Sequence, residues 1–457
     1  MTKMKDGNPF SLFIFQNDLR TVDNRALDAA AAAGAAVVPV VVRLEKETDA
    51  LPTTRADDFR NGCIEDVCRT SCKELVTVVG KDFDGVLAEI FASNRIGSVH
   101  LNRDPAAPER DERIRAACER MGVGCFVRTD DALLDPAQCV PYRKFTPYYD
   151  RYVETARRES STTTPVVAAK KIRFVACAKK DKEDESASAS IVDAGKKKTG
   201  RDRALAILRR IRAGDFDAYG TTRDELWNAD GTTRLGPYIN AGCVSVREVF
   251  ASANGNEPLQ RELMWRAFYE QIFHHFPRVR ALSPLGADLA ADAWTGADDA
   301  FERWKRGLTG FPLVDAAMRE LASTGHMHNR ARMLVASFLV KTLRVDWRRG
   351  LRWFEANLVD HYAPSNNGGW QWASGCGADS QPYFRSLSPW LQGKKHDPAC
   401  VYVKRHVPEL ASVPAKDIHA WSVAHRLHPD VVDKGYPPPM CDHTAETRKT
   451  VALWKKV

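Results

Sequence analysis

The apolar residues of this chain change their period at about residue 200, and that change constrains the fold more than any single motif. Before it, short apolar runs at residues 12–15, 37–42, 98–101 and 124–127 are separated by helix-like stretches such as the Ala-rich 26–33, the pattern of a parallel sheet covered by helices. After it, apolar residues recur at helical spacing over 204–211, 259–276, 313–321, 327–343 and 351–358. The expected fold class is an α/β N-terminal domain with a doubly wound parallel sheet (1–140), an interdomain connection (141–200), and a mainly α-helical C-terminal domain (201–457). Between 159 and 199 the composition turns to Ser, Thr, Ala and alternating charge, which marks the connection. The basic run 196–203 is read as a solvated face, a nuclear import signal being the other reading.

Composition excludes some functions. Eleven cysteines are odd in number, and Cys63, Cys68 and Cys72 lack the paired spacing of a zinc or iron–sulfur site, so no metal centre is expected and the thiols are expected to be reduced. There is no run of eighteen apolar residues, and residues 1–9 are polar, so neither a membrane span nor a signal peptide is expected. The expected location is intracellular, in nucleus or cytoplasm, and the protein is expected to be a monomer. A net charge of +8 is modest and bears on a polyanionic partner only where it is concentrated. No GxGxxG follows the first strand, so the α/β pattern by itself fixes no ligand.

The chemistry-bearing residues lie in the second half, where all eleven Trp residues follow position 226. Glu262, Trp265, Arg266 and Tyr269 fall at i, i+3, i+4 and i+7 and line one helix face. Asn329, Arg332 and Met333 share a face of a second helix, with Arg330 beside it. Each set alone reads as a helix-surface ion pair; together with the neighbouring Trp residues they point to a pocket for a polar ligand with flat rings. Asp360-His-Tyr-Ala-Pro-Ser-Asn-Asn-Gly-Gly-Trp-Gln-Trp372 is the most specific segment, and its Asn-Asn-Gly-Gly is read as turn chemistry whose glycines admit a close ring system.

Taken in order, Thr232-Thr-Arg-Leu-Gly-Pro-Tyr238, Glu262-Leu-Met-Trp-Arg-Ala-Phe-Tyr269, Thr309-Gly-Phe-Pro-Leu-Val-Asp-Ala-Ala-Met318, Met327-His-Asn-Arg-Ala-Arg-Met333, Asp346-Trp-Arg348, Asn366-Asn-Gly-Gly-Trp-Gln-Trp372 and Pro382-Tyr-Phe-Arg385 resemble successive signatures of the photolyase/cryptochrome family. Asp18-Leu-Arg20, Asp23-Asn24 and Phe145-Thr-Pro-Tyr148 extend the resemblance into the N-terminal third. It implies light-driven repair of cyclobutane pyrimidine dimers in DNA, of the class I type, by electron transfer from excited reduced FAD to a flipped-out dimer. Photolyases are base-flipping enzymes for a physical reason: a dimer inside a duplex is out of reach of a buried electron donor.

By the same resemblance, Tyr219, Thr232, Thr233, Arg234, Leu235, Gly236 and Arg266 hold the FAD phosphates. Asp360, His361 and Tyr362 contact the isoalloxazine edge, Arg332 pairs with Asp360, and Asn366 faces flavin N5. Glu262, Asn329 and Met333 touch the damaged bases, while Trp265 and Trp372 wall the dimer pocket. Arg223, Arg330 and Gln392 hold the DNA backbone, with solvated surface residues as the plainer reading of these three. Trp294, Trp347 and Trp370 match the electron-transfer chain, or are three core indoles.

Several positions depart from the family pattern. Gly236 stands where Ser is usual, Tyr362 where an acidic residue is common, and His326 where Trp often precedes the Met-His-Asn-Arg run. In the N-terminal third, Gln16-Asn17 replaces a basic pair and Pro108-Glu109 lacks an Asn expected beside a folate, so a second, antenna chromophore is open between folate, deazaflavin, a flavin and none. The competing reading is a cryptochrome, a blue-light receptor signalling to protein partners; the chain ending at Val457 without a long extension argues for repair. A light-independent flavoprotein or a DNA-binding module would leave the Trp series unexplained.

Overall fold

The computed structural model describes residues 9–34, 36–45, 54–161, 172–178, 199–288, 294–380 and 386–454. The charge runs at 179–185 and 196–198 and the Pro382-Tyr-Phe-Arg385 motif lie outside them. The chain forms two compact units: Met1–Cys139 with Tyr152–Gly214 and Arg234–Ala267, and Val140–Arg151 with Asp215–Thr233 and Phe268–Val457.

In the first unit β1 (Phe10–Ile14), α1 (Arg25–Ala33), β2 (Val37–Leu44), α2 (Arg55–Thr70), β3 (Val76–Gly80), α3 (Phe83–Ser93), β4 (Ile96–Asn102), α4 (Pro108–Arg120) and β5 (Gly124–Arg128) alternate. All four strand pairings are parallel and the order is β3-β2-β1-β4-β5. Most strand residues of β1 and β2 and residues 99–102 of β4 are buried on both faces, which is why they read as continuous apolar runs. The strand order reverses between β1 and β4, the point where such sheets open a crevice at their C-terminal ends. Here that point holds a buried polar network. Gln16 Nε2 donates to Asn102 O at 2.8 Å and to Asp111 Oδ1 at 2.7 Å, and Asn102 Nδ2 donates to Asp18 Oδ2 at 2.6 Å. Burial pushes the Asp111 carboxyl up to about 6, against the hydrogen bond from Gln16.

The Asp-Leu-Arg and Asp-Asn motifs of this third are structural. Asn24 caps α1 by accepting from Leu27 N at 3.1 Å. Buried Arg20 and Arg247 both pair with buried Asp130. Arg201, at the start of α6 (Arg201–Arg212), pairs with Glu248 on α7 (Val246–Ser252). The interval 141–200, expected as a connection, begins with a helix, α5 (Phe145–Ser161).

A long helix, α8 (Glu257–His275), runs from the first unit into the second. The second unit continues through α9 (Asp298–Arg306), α10 (Pro312–Thr324), α11 (Asn329–Lys341), α12 (Trp347–Asn357), α13 (Ala363–Ser374), α14 (Pro389–His396) and α15 (Val401–His406), and ends in α16 (His443–Trp454). Its core is aromatic, with Trp304, Trp347, Trp370 and Trp421 buried. Phe145 packs edge-on against Phe268 at 5.7 Å. Among the described residues no helix is long and apolar enough to cross a membrane.

Candidate functional site

The segment expected to turn is helical. Asn366-Asn-Gly-Gly lies inside α13, which follows Tyr362 at its N-cap, has Pro364 in its first turn and is ended by Gly375, held at φ 96°. Proline fits the first turn because its missing N–H is unused there, and a left-handed Gly ends the helix without strain. The interior glycines cost helix propensity, and Gly368 offsets it through packing: a Cβ there would stand 2.0 Å from the Tyr269 ring. The close approach is therefore to a side chain of α8. The helical backbone also separates Trp370, buried in the core, from Trp372, half-buried two residues on, which an extended segment would have pointed the same way.

On α8, Glu262, Trp265, Arg266 and Tyr269 are half-buried, whereas Leu263, Met264, Ala267 and Phe268 are buried. One side of the helix thus feeds the core, and a row of carboxylate, indole, guanidinium and phenol remains accessible. Arg266 Nη1 donates to Asn240 Oδ1 at 2.7 Å.

On α11 the face expected from the spacing is present. Asn329 is exposed at the first position, its Nδ2 3.9 Å from Met333 Sδ. Arg332 Nη2 donates to Asp360 Oδ1 and Oδ2 at 2.9 and 2.8 Å, and its Nε donates to Met327 O at 2.7 Å. The helix is capped by His328, whose Nδ1 accepts from Arg330 N at 3.1 Å. Burial pushes this ring down to about 4, so it stays neutral. Arg330 points away from Arg332 and donates through Nε to Asp224 Oδ1 at 3.2 Å. Burial raises the Asp224 carboxyl, but the hydrogen bond and charge of Arg330 outweigh it and hold it below the usual range.

Beside Asp360, the Tyr362 hydroxyl donates to Glu270 Oε1 at 2.7 Å. Glu270 is buried on α8, one residue past the row the sequence singles out. Sequence reasoning missed it; the available signal was a carboxylate at an otherwise apolar helix position. Asn366 Nδ2 donates to Leu351 O at 3.2 Å. His326 stands 3.2 Å from Glu320, which also accepts from the Tyr402 hydroxyl at 2.7 Å.

Tyr219 is buried in a short helical turn, and Thr222 Oγ1 donates to Gly231 O at 3.1 Å, holding that turn beside Thr232 and Thr233, both half-buried. Exposed Arg234 follows with φ 51°, then buried Leu235, and then Gly236, which opens a short helix. Hydroxyls and guanidinium groups are the donors a diphosphate requires, and a carboxylate held by an arginine can accept from a polar ring edge, so these residue types fit FAD.

Trp347 is buried with Nε1 donating to Asp288 Oδ2 at 3.3 Å and the Arg348 guanidinium 4.5 Å from its ring. A Cβ on Gly350, one turn along α12 from Trp347, would stand 2.1 Å from Trp370, which also meets Phe354 at 5.0 Å and Trp304 at 6.3 Å. Trp294 is half-buried against the same core. Arg223 caps the turn at Tyr219, and Gln392 lies on α14 with its Oε1 buried and without a partner among the described residues. Among the described residues no cluster of three metal-ligating side chains occurs.

Residues 259–456 match the family model for the FAD binding domain of DNA photolyase, and residues 11–168 match that for DNA photolyase. The chain is 32% identical over 412 residues to a deoxyribodipyrimidine photo-lyase of Alkalihalophilus pseudofirmus, covering 85% of this chain and 84% of that one. Its fold resembles a bacterial class III photolyase from Agrobacterium tumefaciens with a TM-score of 0.84 at 29% identity, over 100% of this chain and 99% of that one. It also resembles an archaeal photolyase from Sulfolobus tokodaii, whose structure contains two FAD molecules, with a TM-score of 0.83 at 29% identity over 98% and 100%. The chain belongs to the photolyase/cryptochrome family and is an FAD-binding photo-lyase.

Proposed function

We propose that this protein repairs cyclobutane pyrimidine dimers in DNA in a light-dependent reaction of the class I type. The observation that carries the reading is α11, which joins Arg332 to Asp360 on one side and leaves Asn329 and Met333 together at its open end. When bound and reduced, FAD supplies the photoexcited electron. The rest is the work of the chain. Arg332 fixes Asp360 in place, and Thr232, Thr233, Arg234 and Arg266 supply donors for phosphate. Trp265 and Trp372 offer flat apolar walls to the dimer, which Asn329 and Met333 touch from α11. Glu262, in its carboxylic acid form, donates a hydrogen bond to a dimer carbonyl, and the value of that bond grows as negative charge builds there. Arg223, Arg330 and Gln392 hold DNA phosphates, which positions the strand without reading sequence. Trp294, Trp347 and Trp370 form a relay from the surface inward. The buried network at the N-terminal switch point leaves a second chromophore open. Residues 1–140 and 201–457 serve as the antenna and repair domains of an intracellular monomer.

Walls and carboxylate separate experimentally. Trp265→Ala or Trp372→Ala should lose stacking worth about 1–3 kcal/mol and weaken binding to dimer-containing DNA roughly tenfold to a hundredfold. Glu262→Ala should act mainly on dimers repaired per absorbed photon. Affinity for damaged and undamaged DNA at one salt concentration, with repair yield, distinguishes them. Intact dimer discrimination in both Trp variants would move the pocket elsewhere and favour a signalling receptor.

A further inference from the structure

Resting on the DNA-repair reading, we propose that Trp227 and the basic ends of α14 and α15 form a shelf for single-stranded DNA beyond the lesion pocket. Trp227 is 41% exposed, the one indole among the exposed large apolar side chains of the described residues. Its position is held from three directions. Leu226 N donates to His396 O at 3.1 Å, His396 Nδ1 stands 2.8 Å from Asp224 O, and Arg405 Nη2 donates to Trp227 O at 3.4 Å. Asp224 in turn carries the ion pair to Arg330. The segment 224–227 thus connects Arg330 to the ends of α14 and α15.

Those ends are cationic. Lys394 and Lys395 are exposed in the last turn of α14, the helix that carries Gln392; Lys404 and exposed Arg405 stand in the last turn of α15. The local carboxylates do not cancel them. Asp224 is committed to Arg330, Asp397 is buried and accepts from Tyr402 N and Val403 N, and Glu225 accepts from Asn228, which leaves Glu225 and Asp230 as the acidic groups of the rim. Val401, 44% exposed and one turn before Arg405, and Leu391, 65% exposed on α14, add apolar surface between the cations. A single exposed apolar residue means little, but an indole interleaved with four cations is the combination that binds single strands: the cations follow the phosphates, and the ring stacks on an unpaired base of any identity. A duplex presents no free base face to such a ring.

The test uses the full-length protein with dimer-free fluorescent oligo-dT and a dimer-free duplex of equal length. Trp227→Ala should weaken oligo-dT binding about five- to a hundredfold and leave the duplex nearly unchanged, while Trp227→Phe retains most of the affinity. Replacing both Lys395 and Arg405 with Ala should flatten the plot of log K against log salt by roughly 1.4, two phosphates at about 0.7 each for a single strand. Oligo-dT affinity within twofold of the parent in Trp227→Ala would overturn the shelf. So would equal losses on oligo-dT and duplex, or sedimentation showing that the parent self-associates and Trp227→Ala does not. Failure of the repair reading appears elsewhere, as parent protein that does not distinguish dimer-containing from dimer-free DNA.

Discussion

Arg332 and Asp360 form a paired contact in which one guanidinium nitrogen, Nη2, lies 2.9 and 2.8 Å from the two carboxylate oxygens, while Arg332 Nε is anchored on Met327 O. The pair joins α11 to the start of α13 and is half-buried on the arginine side. Charge-assisted hydrogen bonds of this kind are worth about 1.5–3 kcal/mol. Asp360→Asn should therefore weaken FAD retention by about tenfold to a hundredfold, and Arg332→Lys, which keeps charge but loses the fixed fork, should do nearly as much. Flavin-to-protein ratio after gel filtration reads this directly; parent ratios in both variants would remove the pair from the cofactor site.

Trp370 lies against Gly350, Phe354 and Trp304 in the core of the second unit. Trp370→Phe preserves most of that packing and should block light-driven reduction of oxidised FAD, while chemically reduced enzyme still repairs. Trp370→Ala would confuse the result by opening a cavity worth about 3–5 kcal/mol. Photoreduction of Trp370→Phe at the parent rate would break the assignment of Trp294, Trp347 and Trp370 as a relay.

In the first unit Asp130 neutralises two buried guanidinium groups, accepting from Arg247 Nη2 at 2.7 Å and from Arg20. Removing one partner of such a buried cluster costs about 3–5 kcal/mol because the remaining charges are uncompensated. Asp130→Ala should lower the urea midpoint accordingly, and a loss of under about 1 kcal/mol would mean that water reaches the arginines.

Two buried histidines should make the protein less stable in acid, partly offset by Asp111, whose carboxyl burial raises to about 6. Burial pushes His100 and His328 down to about 4. The unfolded chain takes up protons at these rings near pH 6.5, the folded chain only near 4, so stability present above 6.5 is lost as pH falls between the two values, at up to about 1.4 kcal/mol per ring per pH unit. Denaturant midpoints at about pH 7 and pH 5, either side of the upper end of that window, should show it. His328→Asn keeps a capping side chain and removes one titration, so its pH dependence should be shallower; an unchanged slope would exclude His328 as a contributor.

The parallel sheet is legible in the sequence because most of β1 and β2 and residues 99–102 of β4 are buried on both faces and read as continuous apolar runs. β3 is not, since Val76-Thr-Val-Val-Gly80 is a short edge strand whose exposed Val79 blurs its pattern. The row on α8 and the face on α11 are legible from helical spacing alone. The sequence misleads at α13 because Asn-Asn-Gly-Gly favours turns locally, and the tertiary contact of Gly368 with Tyr269 offsets that preference. Glu270 escapes because its meaning depends on Tyr362, 92 residues away.

Everything proposed for the site depends on light-dependent repair of one lesion. Reduced protein should be incubated with two oligonucleotides of the same sequence, one carrying a cyclobutane pyrimidine dimer and one a six-four photoproduct, in blue light and in darkness, with dimers removed counted per absorbed photon. The expected result is loss of the cyclobutane dimer in light alone and an untouched six-four product. Equal loss in darkness, no loss at all, or repair confined to the six-four product would contradict it.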